Sequence, residues 1–164
     1  MKIDIEKNLT RKFNFDFEIN INCILQKVPP EHILGLHKIQ VVHYSPEKSK
    51  RNAYGFYYGQ SEGEKLPKIV LCAGNIFQNL PKALLRLSFI PRLFLARTIF
   101  HEIAHHYQRL QHGISKHIWE KDAARYTKKM MNRYFKFQLF LLKILFGPLF
   151  LIGKLTNKKV KQKQ

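Results

Sequence analysis

Thr98-Ile99-Phe100-His101-Glu102-Ile103-Ala104-His105-His106-Tyr107 is the stretch whose reading decides the fold. It contains His-Glu-x-x-His. On a helix, residues four apart stand one turn above each other on one face, so His101 and His105 can offer two imidazole nitrogens to a single Zn²⁺. Glu102 is turned about 100° from His101. There it lies beside the metal, where a carboxylate can take a proton from water that the metal has acidified to a pKa of about 7. Ile99, Phe100, Ile103 and Ala104 make the surroundings apolar, and two histidines and a glutamate in apolar surroundings require a partner.

A metal centre that keeps one position open takes three protein ligands, commonly two His and one carboxylate. After Glu64 the chain holds only three acids, Glu102, Glu120 and Asp122. With Glu102 as the base, the third ligand must come from Trp119-Glu120-Lys121-Asp122-Ala123-Ala124-Arg125-Tyr126. At about 1.5 Å per residue, a helix climbs some 10 Å from His105 to His112, and a second one descends about 7 Å from Ser115 to Glu120. Glu120 thus returns level with the histidines. Asp122 points about 200° away from it, so Glu120 is the expected ligand, with Ala123 and Ala124 small enough to let the helices approach.

These two motifs resemble those of the gluzincin metallopeptidases, and within them the small single-domain minigluzincins. They are also similar to repressor-cleaving zinc peptidases and to the catalytic core of membrane-bound zinc peptidases. The likeness covers roughly residues 20–135. It implies an α+β, zincin-like fold, with a small antiparallel or mixed sheet packed on a metal-binding helix and a following glutamate helix. It also implies His101, His105 and Glu120 as ligands of one Zn²⁺ per chain, Glu102 as general base, and peptide or protein as substrate. Members often carry Asp four residues after the ligand Glu, where this chain has Ala124. An oxyanion stabiliser is expected as well; His117, Arg125, Tyr126 or Arg133 could serve, and spacing singles out none. His106, one step past the ligand face, reads as solvated or as a support for the ligands.

Upstream, Phe13, Phe15, Phe17, Ile19 and Ile21 alternate with Asn14, Asp16, Glu18 and Asn20. Period two predicts a half-buried strand. Asn20 then caps a short helix that ends before Pro29-Pro30. Ile33, Leu34 and Leu36 read as one further turn, at Gly35. Runs at 37–44, 53–58 and 68–73 predict strands of an antiparallel sheet. The last, apolar throughout, is expected as the edge that would pair with an extended substrate. Residues 75–90 read as a helix over the sheet, and the metal helix runs from near Pro91 to His112, with Gly113 as its left-handed cap and Ser115 capping the next helix.

The 164 residues, 45% hydrophobic, suffice for one domain, expected over residues 1–133. Two isolated cysteines, Cys23 and Cys72, do not make a disulfide framework, and the start lacks the apolar core of a secretory signal. A cytoplasmic protein is expected, at most peripheral on the inner membrane face. The net charge of +18 calls for an anionic partner. Residues 134–164 form a tail both apolar and basic, in which Lys136, Gln138 and Lys143 interrupt the apolar run and Gly147-Pro148 should break the helix. It is too short in uninterrupted apolar length to span a bilayer and suited to an anionic membrane surface. Nucleic acid is the weaker partner, because no recognition motif accompanies the charge. The competing function is a non-catalytic basic adaptor that uses zinc for folding alone.

Overall fold

The computed structural model describes residues 1–59, 66–111 and 116–161. It is an α+β fold with a four-stranded mixed sheet in the order β1-β2-β4-β3 and six α-helices among the described residues. The strands are β1 (Lys2–Ile5), β2 (Lys38–Val42), β3 (Gly55–Tyr58) and β4 (Lys68–Cys72). β1, β2 and β4 run parallel, and β3 alone is antiparallel, pairing Gly55 with Leu71 and Tyr57 with Ile69. The sheet is therefore not antiparallel throughout. The expected edge is also corrected: β4 lies between β2 and β3, buried from Ile69 to Cys72, and the edge strands are β1 and β3, of which β3 lies on α5. A continuous apolar run belongs to a strand covered on both faces, so the composition that drew attention to β4 is what places it inside.

The alternation from Phe13 to Ile21 is not a strand. It contains the end of α1 (Leu9–Phe13) and the start of α2 (Phe17–Leu25). Asn14 ends α1 in the left-handed region, with φ 47°, a conformation that Asn tolerates better than most residues. Asp16, rather than Asn20, then caps α2 by accepting from the Ile19 N–H at 3.0 Å. Local capping overrides the period-two pattern, and burial follows the helix: Phe17, Ile21 and Ile24 are buried while Ile19 faces solvent. Phe13, Phe15 and Phe17 instead form an edge-to-face cluster with Phe77, among ring pairs 5.1–6.1 Å apart. Asn20 is buried, its Oδ1 accepting from Arg92 Nε at 2.6 Å.

A short 3-10 turn at Pro30–His32 precedes Gly35, whose φ of +77° is left-handed. The single helix expected over 75–90 is two short ones, α3 (Ala73–Phe77) and α4 (Lys82–Leu85), divided before Pro81. α5 (Phe89–Gln111) then packs under the sheet against β3, β4, α2 and α3, burying Leu93, Ala96, Ile99, Phe100 and Ile103 in the core. Gly113 and Ser115 lie outside the described residues.

α6 (Lys116–Lys161) returns along α5. Ala123, Thr127 and Met130 form its buried face, at the four- and three-residue spacing of a helix stripe; Ala124 is exposed. Its one non-helical residue is Phe135, with φ −127° and ψ 18°. The kink thus falls at Phe135 and not at Gly147-Pro148, through which the helix continues. Phe135, two residues past the expected domain boundary, is buried in the core, 6.3 Å from the Phe100 ring and under Lys27 Nζ at 4.6 Å. Anchoring the ring there turns the chain out of its helical track. No helix among the described residues is long and apolar enough to cross a membrane.

Candidate metal centre

α5 and α6 bring His101, His105 and Glu120 together. The two Nε2 atoms lie 3.2 Å apart, with the rings edge to face at 88°. Glu120 Oε2 is 3.4 Å from His101 Nε2, and its Oε1 is 3.5 Å from His105 Nε2. Ligand atoms about 2.0–2.1 Å from a tetrahedral ion are separated from one another by about 3.3 Å. With one ligand atom from each residue the donors lie within 4.8 Å of one another, a group that could hold one metal ion. Ala123, fully buried one turn after Glu120, lets the helices approach closely enough for this. Asp122 faces solvent and pairs with Arg125 at 3.2 Å.

Glu102 is buried beside this group, and its carboxyl is pushed up to about 8. Burial is the main cause and the negative charge of Glu120 adds to it; the backbone N–H of Tyr57 works the other way. That N–H belongs to β3, so the edge strand and the candidate base are in direct contact. Gly55 makes this possible. A β-carbon there would meet Thr98 Cγ2 at 2.8 Å and Glu102 Cγ at 3.2 Å, so only glycine lets β3 lie flush on α5.

His105 is held below the usual histidine range by burial first and by His101 second, which favours the neutral imidazole that binds metal. Gln108, one turn on, acts in the opposite direction through its side chain, although neither His105 Nδ1 nor Gln108 Oε1 completes a hydrogen bond of good geometry. The other end of Gln108 donates from Nε2 to the Trp119 carbonyl at 3.3 Å. One side chain therefore touches the helix of the histidine pair and the residue before Glu120.

His106 is not solvated. It is buried between α5, β3 and the loop at Leu34, its Nε2 donating to the Leu34 carbonyl at 2.9 Å and its Nδ1 accepting from the Tyr57 hydroxyl at 3.2 Å. It fixes β3 to the helix. Comparison with protein-family models, with curated proteins and with solved structures returns no match.

Of the groups considered for an oxyanion role, Tyr126 gives its hydroxyl to His32 Nδ1 at 2.8 Å, Arg125 is paired with Asp122, and Arg133 lies over the Tyr134 ring. The His117 side chain lies outside the described residues. Sequence reading passed over Gly55, Tyr57 and Gln108. A glycine opening a strand run is a signal of close approach, and a glutamine one turn from a ligand histidine was visible as a neighbour. Nothing in the sequence marked Tyr57.

Proposed function

We propose that this chain is a zinc-dependent endopeptidase of the gluzincin type, acting on peptide or protein substrates. The observation that carries the reading is the placement of Glu102: a buried carboxyl beside three donors spaced for one cation, and in contact with an open sheet edge. His101, His105 and Glu120 are the residues that would hold Zn²⁺. They fit it in number, chemical type and separation. When bound, zinc supplies the Lewis acidity that makes water ionisable near neutral pH and polarises a carbonyl.

The protein's own groups account for the rest. Among the described residues β3 pairs with one strand only, β4, and apart from the Tyr57 N–H that meets Glu102 its outer side would pair with the backbone of an extended peptide. Glu102, whose ionised form a bound cation would favour, accepts the proton of the attacking water as the water oxygen bonds to the peptide carbonyl carbon. The carbon–nitrogen bond then breaks, and Glu102 returns that proton to the departing amine.

The adaptor reading requires a structural site, which normally has four protein ligands. Among the described residues only three donors converge. The experiment that separates the readings compares wild type with Glu102→Gln: zinc content by elemental analysis, and new peptide termini after incubation with a host lysate. Zinc in both proteins and new termini with the wild type alone is the expected result; equal cleavage by the two removes Glu102 from the mechanism.

A further inference from the structure

The segment beyond Phe135 leaves the core with an apolar face uncovered. Phe137, Phe140 and Ile144 are 67%, 57% and 54% exposed within two turns of one helix. Leu139, on another side of the same helix, packs against the core and fixes which way the helix is rotated. At about 100° per residue, Lys136, Lys143, Phe140, Ile144 and Phe137 fall within an arc of about 120°. Lys143 and Lys136 occupy one border of this arc, Phe140 its middle and Ile144 and Phe137 the other border, and both lysines are exposed.

We propose that this face rests on an anionic lipid surface, with Phe137, Phe140 and Ile144 in the acyl boundary and Lys136 and Lys143 on the headgroups. Charge decides among the occupants. Residues 136–164 contain seven lysines and no acid. A second copy of this helix would bring lysines onto lysines with no carboxylate to pair them, which opposes self-association through this face. A nucleic acid would use the lysines and leave the aliphatic and aromatic side chains without a role. A bilayer surface uses both kinds of residue. With no described helix able to cross the membrane, contact is along the surface.

The test uses the full chain and sucrose-loaded vesicles of phosphatidylcholine alone or with about 30% phosphatidylserine. The wild type should sediment with the mixed vesicles, and far less with the neutral ones. Replacing Phe137, Phe140 and Ile144 together by Ser touches only exposed positions, so circular dichroism should be unchanged while binding falls more than tenfold. Lys136→Gln with Lys143→Gln should weaken binding about fivefold per lysine at low salt. The proposal is overturned if the wild type ignores mixed vesicles or if the triple variant binds them as well as wild type. It is equally overturned if light scattering shows a wild-type dimer that the triple variant abolishes without any vesicle binding, since the face would then be a self-interface.

Discussion

Gly55 faces Glu102 across the junction of β3 and α5, so closely that a β-carbon on the glycine would stand 3.2 Å from Glu102 Cγ. Gly55→Ala must push the strand outward, because the nearest obstacle, Thr98 Cγ2 at 2.8 Å, is held on the helix. Overpacking of this kind costs about 1–3 kcal/mol. Denaturant unfolding should register that loss, and peptide cleavage should fall further than the fraction folded, since the Tyr57 N–H is withdrawn from Glu102. Cleavage that merely tracks stability would separate the strand from the site.

Glu102 should also give the metal-free protein a distinctive pH response. Its carboxyl ionises at about 8 in the fold and at 4.5 when free of these surroundings, as in the unfolded chain. The folded protein therefore holds a proton that the unfolded chain has released. That stabilisation is fully present below pH 4.5 and is lost as pH rises toward 8. In EDTA, the melting temperature of wild type should decline across this window, whereas Glu102→Gln should decline less and stand above wild type once the pH reaches the upper end. Parallel curves would remove the buried carboxyl as the cause.

The ligand carboxylate behaves differently because it is exposed. Glu120 has a side chain 64% accessible, so Glu120→Ala should leave the metal-free stability within about 0.5 kcal/mol. Zinc affinity should fall by more than about a hundredfold, as read by competition with a chromogenic chelator. His101→Ala should do the same. Stoichiometric zinc in both variants after dialysis would place the centre elsewhere.

His106 carries load of another kind. His106→Ala leaves the Leu34 carbonyl and Tyr57 hydroxyl without their partner and opens a void in the core, at a cost of about 2–4 kcal/mol. Tyr57→Phe, which removes the hydrogen bond to His106 and keeps the ring, should cost about 1 kcal/mol. Both variants should still bind one zinc, so a large loss of metal from His106→Ala protein that remains folded would mean that this histidine supports the ligands and not the strand.

The candidate site was more legible than the fold around it. His101, Glu102 and His105 are fixed by the geometry of one helix, and the scarcity of acids after Glu64 left Glu120 and Asp122 to be separated by helix rotation alone. Both arguments depend on short-range spacing, which sequence states directly. The N-terminal region was misread because Asn14 and Asp16 can serve as exposed strand residues or as helix caps, and the capping geometry prevailed. β1 was missed because Lys2–Ile5 is short and paired with a strand distant in sequence. The position of β4 inside the sheet depended on β3 returning antiparallel beside it, a long-range choice that no local pattern records.

The kink at Phe135 also acts as a ruler. Between Glu120 and Phe135 the helix advances about 22 Å at 1.5 Å per residue, and beyond the kink the proposed lipid-facing segment begins. However the two parts are inclined, the reactive centre could stand no further than roughly that distance above the headgroups. A protein anchored in the same leaflet would then meet the site at the raised effective concentration of a shared surface, provided its scissile bond lay within that height. Selectivity could thus come from how far a peptide bond projects from the membrane, with little demand on the side chains that flank it.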